Sequence, residues 1–310
     1  MTVEPHRTTI GGQAIYEGIM MLGPEAAVAV VRAPDGTTSR KDFPPRPKYS
    51  NYHFFKWPLV RGVYALVTTM RLGYKAIDYS TSLIEEDAEP ESKFDRWLAK
   101  FDAKTVQKVV MSIAMVLGIV LSVGLFILLP TFVTGWLERF LPQPWMRNIA
   151  EGCCRLLILL GYLALVSLMK DMRRLFAYHG AEHKAIACFE AGQELTVENV
   201  RQKNRRHPRC GTSFLLIVVI VSILLFSTLN WSNPWIRAGL RLALLPAVVG
   251  FSYEINRLVG RYDNFITRFV RAPGLWLQGL TTREPDDGMI EVGIEALKSV
   301  LPGEQGADTW

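Results

Sequence analysis

The chain predicts a mainly α-helical, polytopic membrane protein with about four transmembrane helices and a small β-containing cytosolic unit at the N-terminus. Three observations carry this class. Of the 310 residues, the two ends have ordinary soluble composition while the middle holds long apolar runs. Those runs approach or exceed the roughly 20 residues a spanning helix needs. Basic residues gather in one connection between runs, which orients the chain.

Ile10–Arg46 reads as β-rich. Ala26–Arg32 is an apolar run, Ala33-Pro34-Asp35-Gly36 has turn chemistry, and Thr37–Phe43 returns as a partner strand. Pro44-Pro45-Arg46-Pro47 then stops regular structure, so residues 1–50 form the cytosolic β-rich unit. Residues 51–105 follow. Trp57–Ser80 has helical apolar spacing broken by Arg61, Arg71 and Lys75, which suits a helix on the cytosolic face of the membrane or a packed amphipathic helix. An acidic linker, Glu85–Lys93, leads to the first span.

Residues 106–169 hold two spans. Val109–Trp136 contains no charged residue, and Leu156–Met169 is also uncharged. Residues 213–255 hold two more: Phe214–Trp231 is uncharged and rich in Leu, Ile and Val, whereas Arg237, Arg241 and Glu254 weaken Ile236–Ile255. Between the pairs, residues 170–212 carry Lys170, Arg173, Arg174, Lys184, Arg201, Lys203, Arg205, Arg206 and Arg209. The connections on the other side carry only Arg139 and Arg147, and Arg237. Positive charge inside therefore puts 170–212, both termini and the tail 256–310 in the cytosol. Trp136, Trp145, Trp231 and Trp235 sit near the outer ends as an aromatic belt. Met1–Arg7 is polar and the first long apolar run starts after residue 100, which argues against a cleavable secretory signal. Cys188 and Cys210 are then reduced thiols, and Cys153 and Cys154 are packed or lipid-facing, with no disulfide framework.

In the cytosolic loop, Met172–Ala191 continues as a helix that Gly192 stops, and Thr196 caps Val197–Lys203. On that helix lies His179-Gly-Ala-Glu-His183. His-x-x-Glu-His is the inverted zincin arrangement, in which two imidazoles one turn apart hold a metal and the glutamate acts as base. His207-Pro-Arg-Cys210 supplies a second ligand-like pair. Zinc takes imidazole, thiolate and carboxylate in tetrahedral sets, so His179, His183, His207 and Cys210 would fill a closed, structural site. A catalytic site would leave one position open and use Glu182 as base, with a third ligand from Glu254, His207 or Cys210. Glu254 has a competing reading as the partner of Arg257 or Arg241.

Ile10-Gly-Gly-Gln-Ala-Ile-Tyr-Glu-Gly18 lacks the spacing of a nucleotide loop. It reads either as a β-turn or as a loop folded against the histidines with Gln13 or Glu17 contributing polar groups. The basic run Lys203–Arg209 stands beside a span, which favours anionic lipid headgroups over nucleic acid. Small residues such as Gly118 and Ser122 would permit close helix contact in a homo-oligomer.

The chain resembles the YqhQ-like family of bacterial membrane proteins, a family of unknown function. The resemblance rests on Gly11-Gly-Gln-Ala-Ile-Tyr-Glu-Gly-Ile-Met-Met21, Arg61-Gly62, His179-Gly-Ala-Glu-His-Lys184, Thr196-Val-Glu-Asn199, His207-Pro-Arg-Cys-Gly-Thr-Ser213 and Ser252-Tyr-Glu254. It implies multi-pass inner-membrane proteins described as metal-dependent enzymes, with no substrate to carry over. The expectation is a divalent-metal enzyme, zinc in type, of hydrolase class at the cytosolic membrane interface. The competing class is a membrane scaffold, assembly factor or transporter component with the same residues in a structural site.

Overall fold

A computed structural model of the chain describes residues 6–44, 53–85, 103–137, 140–141, 143–227, 233–303 and 307–308. The expected acidic linker and Trp231 fall outside these residues. The chain divides into two units, one of residues 1–80, 162–221 and 246–310, the other of residues 81–161 and 222–245.

The first unit is built on four strands: β1 (Gly11–Ile15), β2 (Gly18–Leu22), β3 (Ala27–Arg32) and β4 (Thr38–Phe43). They pair antiparallel in chain order, with Gly12 opposite Met21, Met20 opposite Ala29 and Ala29 opposite Lys41. The β3–β4 turn follows its sequence chemistry: the Asp35 carboxylate accepts from the Thr37 amide at 2.9 Å, an Asx turn. β2 is buried along its whole length instead of alternating, because both faces of the sheet are covered. On one face lie helices α5 (Lys170–Glu190) and α10 (Asp287–Lys298), which share a core of Ile19, Met21, Val28, Val30, Ala181 and Ile290. On the other lies α1 (Val60–Glu85), where the Tyr79 hydroxyl meets Ser39 Oγ at 2.7 Å. Neighbouring residues of β1 point to opposite faces, so Gly12 reaches α5 while Gln13 packs on Gly73 of α1.

α5 ends in a Schellman motif: the Gly192 and Gln193 amides donate to the carbonyls of Phe189 and Cys188, and Gly192 takes φ 68°. The short α6 (Val197–Arg201) is capped by Thr196, whose hydroxyl accepts from the Asn199 amide. Ser167–Met169 interrupts the expected continuation into α5, with Met169 extended at ψ 138°.

The second unit contains α2 (Ala103–Val123), a π turn at Gly124–Leu128, α3 (Leu129–Trp136) and most of α4 (Pro144–Val166). Among the described residues, three helical stretches are long and apolar enough to cross a membrane: Thr105–Trp136, Trp145–Val166 and Trp235–Arg261. They fit a membrane protein. The last of them belongs to α8 (Pro234–Arg261), the segment whose charges weakened it in sequence. Of the expected uncharged span at Phe214–Trp231, residues 228–231 lie outside the described residues, and the preceding part falls in the apolar helix α7 (Gly211–Phe226).

α8 buries two of its arginines, Arg237 and Arg241, whereas Arg257 and Arg261 near its end are exposed. In the second unit Arg241 binds both carboxylate oxygens of Glu151, and Arg155 donates to Glu151 at 3.2 Å and to Ser222 Oγ at 3.0 Å. Pro130 has no N–H for the Phe126 carbonyl four residues back, and Arg155 Nε fills that place at 2.8 Å.

Candidate metal centre

α5 carries the expected motif on one face. His179 and His183 stand one turn apart, and their rings meet edge to face with centroids 4.3 Å apart. Gly180, between them, lets another segment cross the helix: a Cβ there would come within 2.1 Å of the Arg283 carbonyl oxygen. The Arg283 amide donates to the Phe176 carbonyl at 2.8 Å and fixes the crossing. That crossing brings the Thr281 carbonyl to His179 Nδ1 at 2.9 Å. The loop after α6 brings the Arg205 carbonyl to His183 Nδ1 at 2.6 Å.

A carbonyl only accepts, so each Nδ1 carries the proton and each Nε2 of a neutral ring keeps a lone pair. His183 Nε2 is buried and has no hydrogen-bond partner. His179 Nε2 lies 3.2 Å from Cys210 Sγ. One donor atom from each of His179, His183 and Cys210 lies within 4.8 Å of the others. Around zinc, bonds of about 2.0–2.3 Å at tetrahedral angles separate ligand atoms by roughly 3.3–3.6 Å, so small side-chain rotations suffice to close the set. The donor chemistry fits: two neutral imidazoles, oriented by carbonyls behind them, and a sulfur. Burial holds the His183 ring below its ordinary pKa and so favours the neutral form, with Cys210 opposing.

Cys210 is positioned by its loop. Gln278, from α9 (Phe265–Thr281), is fully buried and clamps that loop at three points. Its Oε1 accepts from the His207 amide at 2.8 Å, while its Nε2 donates to the His207 carbonyl at 2.8 Å and to Ser213 Oγ at 3.1 Å. The Thr212 amide donates to Cys210 Sγ at 3.4 Å.

Glu182 is buried beside the pair. Its Oε1 accepts from the Gly12 amide at 3.0 Å, and its Oε2 has no partner. A Cβ on Gly12 would meet the Met20 carbonyl at 2.7 Å and Glu182 Cδ at 3.1 Å, so only glycine admits this approach. Burial pushes the carboxyl above the usual range, against His179 and the Gly12 amide. The N-terminal motif is thus a β-hairpin laid against the histidine helix. Gly12 is its contact with Glu182, while Glu17 receives Arg174 and Tyr178.

Two other expected ligands have different partners. The ring of His207 lies 5.7 Å from that of His183, but its Nε2 faces Glu190 at 3.2 Å. Glu190 also binds Arg209 and the Thr8 amide, and although burial would raise its pKa, His207 and Arg209 outweigh that and lower it. Glu254 accepts two hydrogen bonds from Arg61, through Nε at 2.6 Å and through Nη2. It pairs with neither Arg257 nor Arg241 in that way, and the three gathered donors are those of His179, His183 and Cys210.

The sequence matches the family described as "Protein of unknown function (DUF1385)" over residues 57–303. The chain belongs to this family. It is also 32% identical over 298 residues to "Uncharacterized protein YqhQ" of Bacillus subtilis (strain 168), covering 94% of this chain and 92% of that one. No solved structure matches. The family match includes every residue of the centre except Gly12.

Sequence reasoning missed the residues that orient the centre. Thr281 and Arg205 act through main-chain carbonyls, which every residue possesses. Gln278 carries no motif, though a buried Gln in an amphipathic helix is a signal once burial is known. Lys184, counted in sequence among the charges that orient the chain, is buried: its Nζ donates to the Arg201 carbonyl at 2.8 Å and pairs with Glu284.

Proposed function

We propose that this protein is a multi-pass inner-membrane protein with cytosolic termini, whose cytosolic unit binds a divalent transition metal of zinc type through His179, His183 and Cys210. The observation that carries the reading is the buried, unpartnered Nε2 of His183, on a residue with a donor atom within 4.8 Å of those of His179 and Cys210, each imidazole held from behind by a carbonyl. A buried polar atom without a partner costs about 1–3 kcal/mol, which a bound cation removes.

Three protein ligands leave a position for a reactant, and the reaction class we favour is hydrolysis. The metal would supply Lewis acidity. Glu182, whose free oxygen lies on the same turn of helix, would take the proton of the attacking water and return it to the leaving group. The substrate would be reached from the cytosolic interface: a lipid-linked molecule or a segment of a membrane protein. A second reading, a structural centre in a scaffold or assembly factor, is supported by burial, since His183 is 1% and Cys210 7% exposed.

Metal analysis of the purified full-length protein tests the shared premise. About one zinc per chain is expected in the wild type and a loss of most of it in His183→Ala and Cys210→Ser; equal content in all three sinks the site. Cobalt substitution then separates the readings. A sulfur-to-cobalt band that Cys210→Ser removes and azide perturbs indicates an open position. A band indifferent to azide indicates a closed, structural one. Glu182→Gln should keep its metal under either reading.

A further inference from the structure

α9 is amphipathic the wrong way round for a helix facing water. Its buried side carries Thr267, Gly274, Gln278 and Thr281 beside a single large apolar residue, Leu277. Its exposed side is apolar: Phe265 is 84%, Ile266 70%, Phe269 73% and Trp276 60% exposed. At 100° per residue these four, together with the exposed Ala272 and Pro273, fall on a single face, with Arg268 at its flank. A contiguous apolar stripe of this kind on a surface marks a site that something covers.

Continuity says what covers it. α8 is long and apolar enough to cross a membrane and ends at Arg261; three residues later α9 begins, capped by the reciprocal Asn264–Thr267 box. With three residues between Arg261 and Phe265, at no more than about 3.6 Å per residue, Phe265 cannot lie further than roughly 14 Å from the end of α8. That keeps the start of α9 beside the surface of a bilayer that α8 crosses. The exposed side chains next to the junction suit that layer, with Tyr262 and Leu258 apolar and Arg257, Arg261 and Arg268 basic.

We propose that α9 lies in the plane of the cytosolic membrane surface, with Phe265, Ile266, Phe269 and Trp276 set into the boundary between lipid headgroups and acyl chains. The proposal rests on the membrane reading of α8, and it has a consequence for the proposed metal centre. The opposite side of the same helix holds Gln278, which clamps the Cys210 loop, and Thr281, whose carbonyl receives His179. The bilayer surface and the centre are thus on the two faces of one helix.

The experiment uses the full-length protein in nanodiscs of mixed phosphatidylcholine and phosphatidylglycerol. Tryptophan emission is compared between ordinary lipid and lipid brominated high on the acyl chain, in wild type and Trp276→Phe, the difference isolating Trp276. The expected result is a loss of the Trp276 contribution by about twofold or more in brominated lipid, and protection from aqueous iodide. Iodide quenching without bromine quenching places α9 in water and overturns the proposal. Protection from both, with dimers captured by cross-linking, gives the face to a second copy of the chain and overturns it as well. If wild-type emission as a whole is indifferent to bromine, the membrane reading itself fails. Phe269→Ser, at an exposed position, should fold normally and weaken the quenching of Trp276.

Discussion

Two groups of buried polar side chains, one in each unit, differ in what they leave over. In the second unit Glu151 is 2%, Arg155 6% and Arg241 1% exposed, and the carboxylate is used up by its neighbours: Oε1 by Thr131, Arg155 and Arg241, Oε2 by Arg241. Of its guanidinium nitrogens, only Arg241 Nε lacks a partner. In the first unit the histidine group is oriented just as firmly, by two carbonyls, yet His183 Nε2 and Glu182 Oε2 are left with nothing. Both groups are expensive to bury. The first arrangement is closed on itself and reads as a lock between helices; the second is incomplete and reads as a receptor for a ligand.

Three changes test that contrast, and the largest effect is expected in the lock. Glu151→Ala leaves two guanidinium groups buried without their acid and should destabilise the protein by about 3–5 kcal/mol, read from unfolding in mixed detergent. A change below about 1 kcal/mol would show that the cluster is open to water or lipid headgroups, and the contrast would collapse. Next comes Gln278→Leu. It removes the clamp on the Cys210 loop and should weaken zinc affinity by about 10–100-fold, or ~1.4–2.7 kcal/mol, measured by chelator competition. Unchanged affinity would mean that the loop positions itself. The smallest effect should come from replacing the lock as a whole. Glu151→Leu with Arg155→Met and Arg241→Met should be within about 1 kcal/mol of wild type in the same assay, because desolvation and pairing nearly cancel in a closed cluster. No such apolar replacement of His179, His183 and Cys210 should preserve metal.

The histidine pair was legible because helical spacing alone puts residues four apart on one face. The third donor was not. Cys210, His207 and Glu254 were equal candidates on chemistry, and their separation came from partners distant in sequence: Glu190 for His207 and Arg61 for Glu254. The N-terminal sheet could be read from its turn and apolar runs, but not the burial of both its faces, which depends on α1, α5 and α10 arriving from elsewhere. Charge counted against α8 in sequence, yet it is long enough to cross a membrane, and Arg241 and Glu254 each find a partner in the structure.

Composition and periodicity by themselves determined a helical chain with apolar segments of membrane length, an N-terminal β unit and a His-x-x-Glu-His helix. These are properties of local repeat and length, which any stretch of chain carries within itself. Tertiary structure alone decided which sulfur faces the imidazoles, which carbonyls turn their lone pairs inward, and which side of α9 is left uncovered. Those depend on groups up to about a hundred residues apart meeting within hydrogen-bond distance, and no local pattern encodes such a meeting.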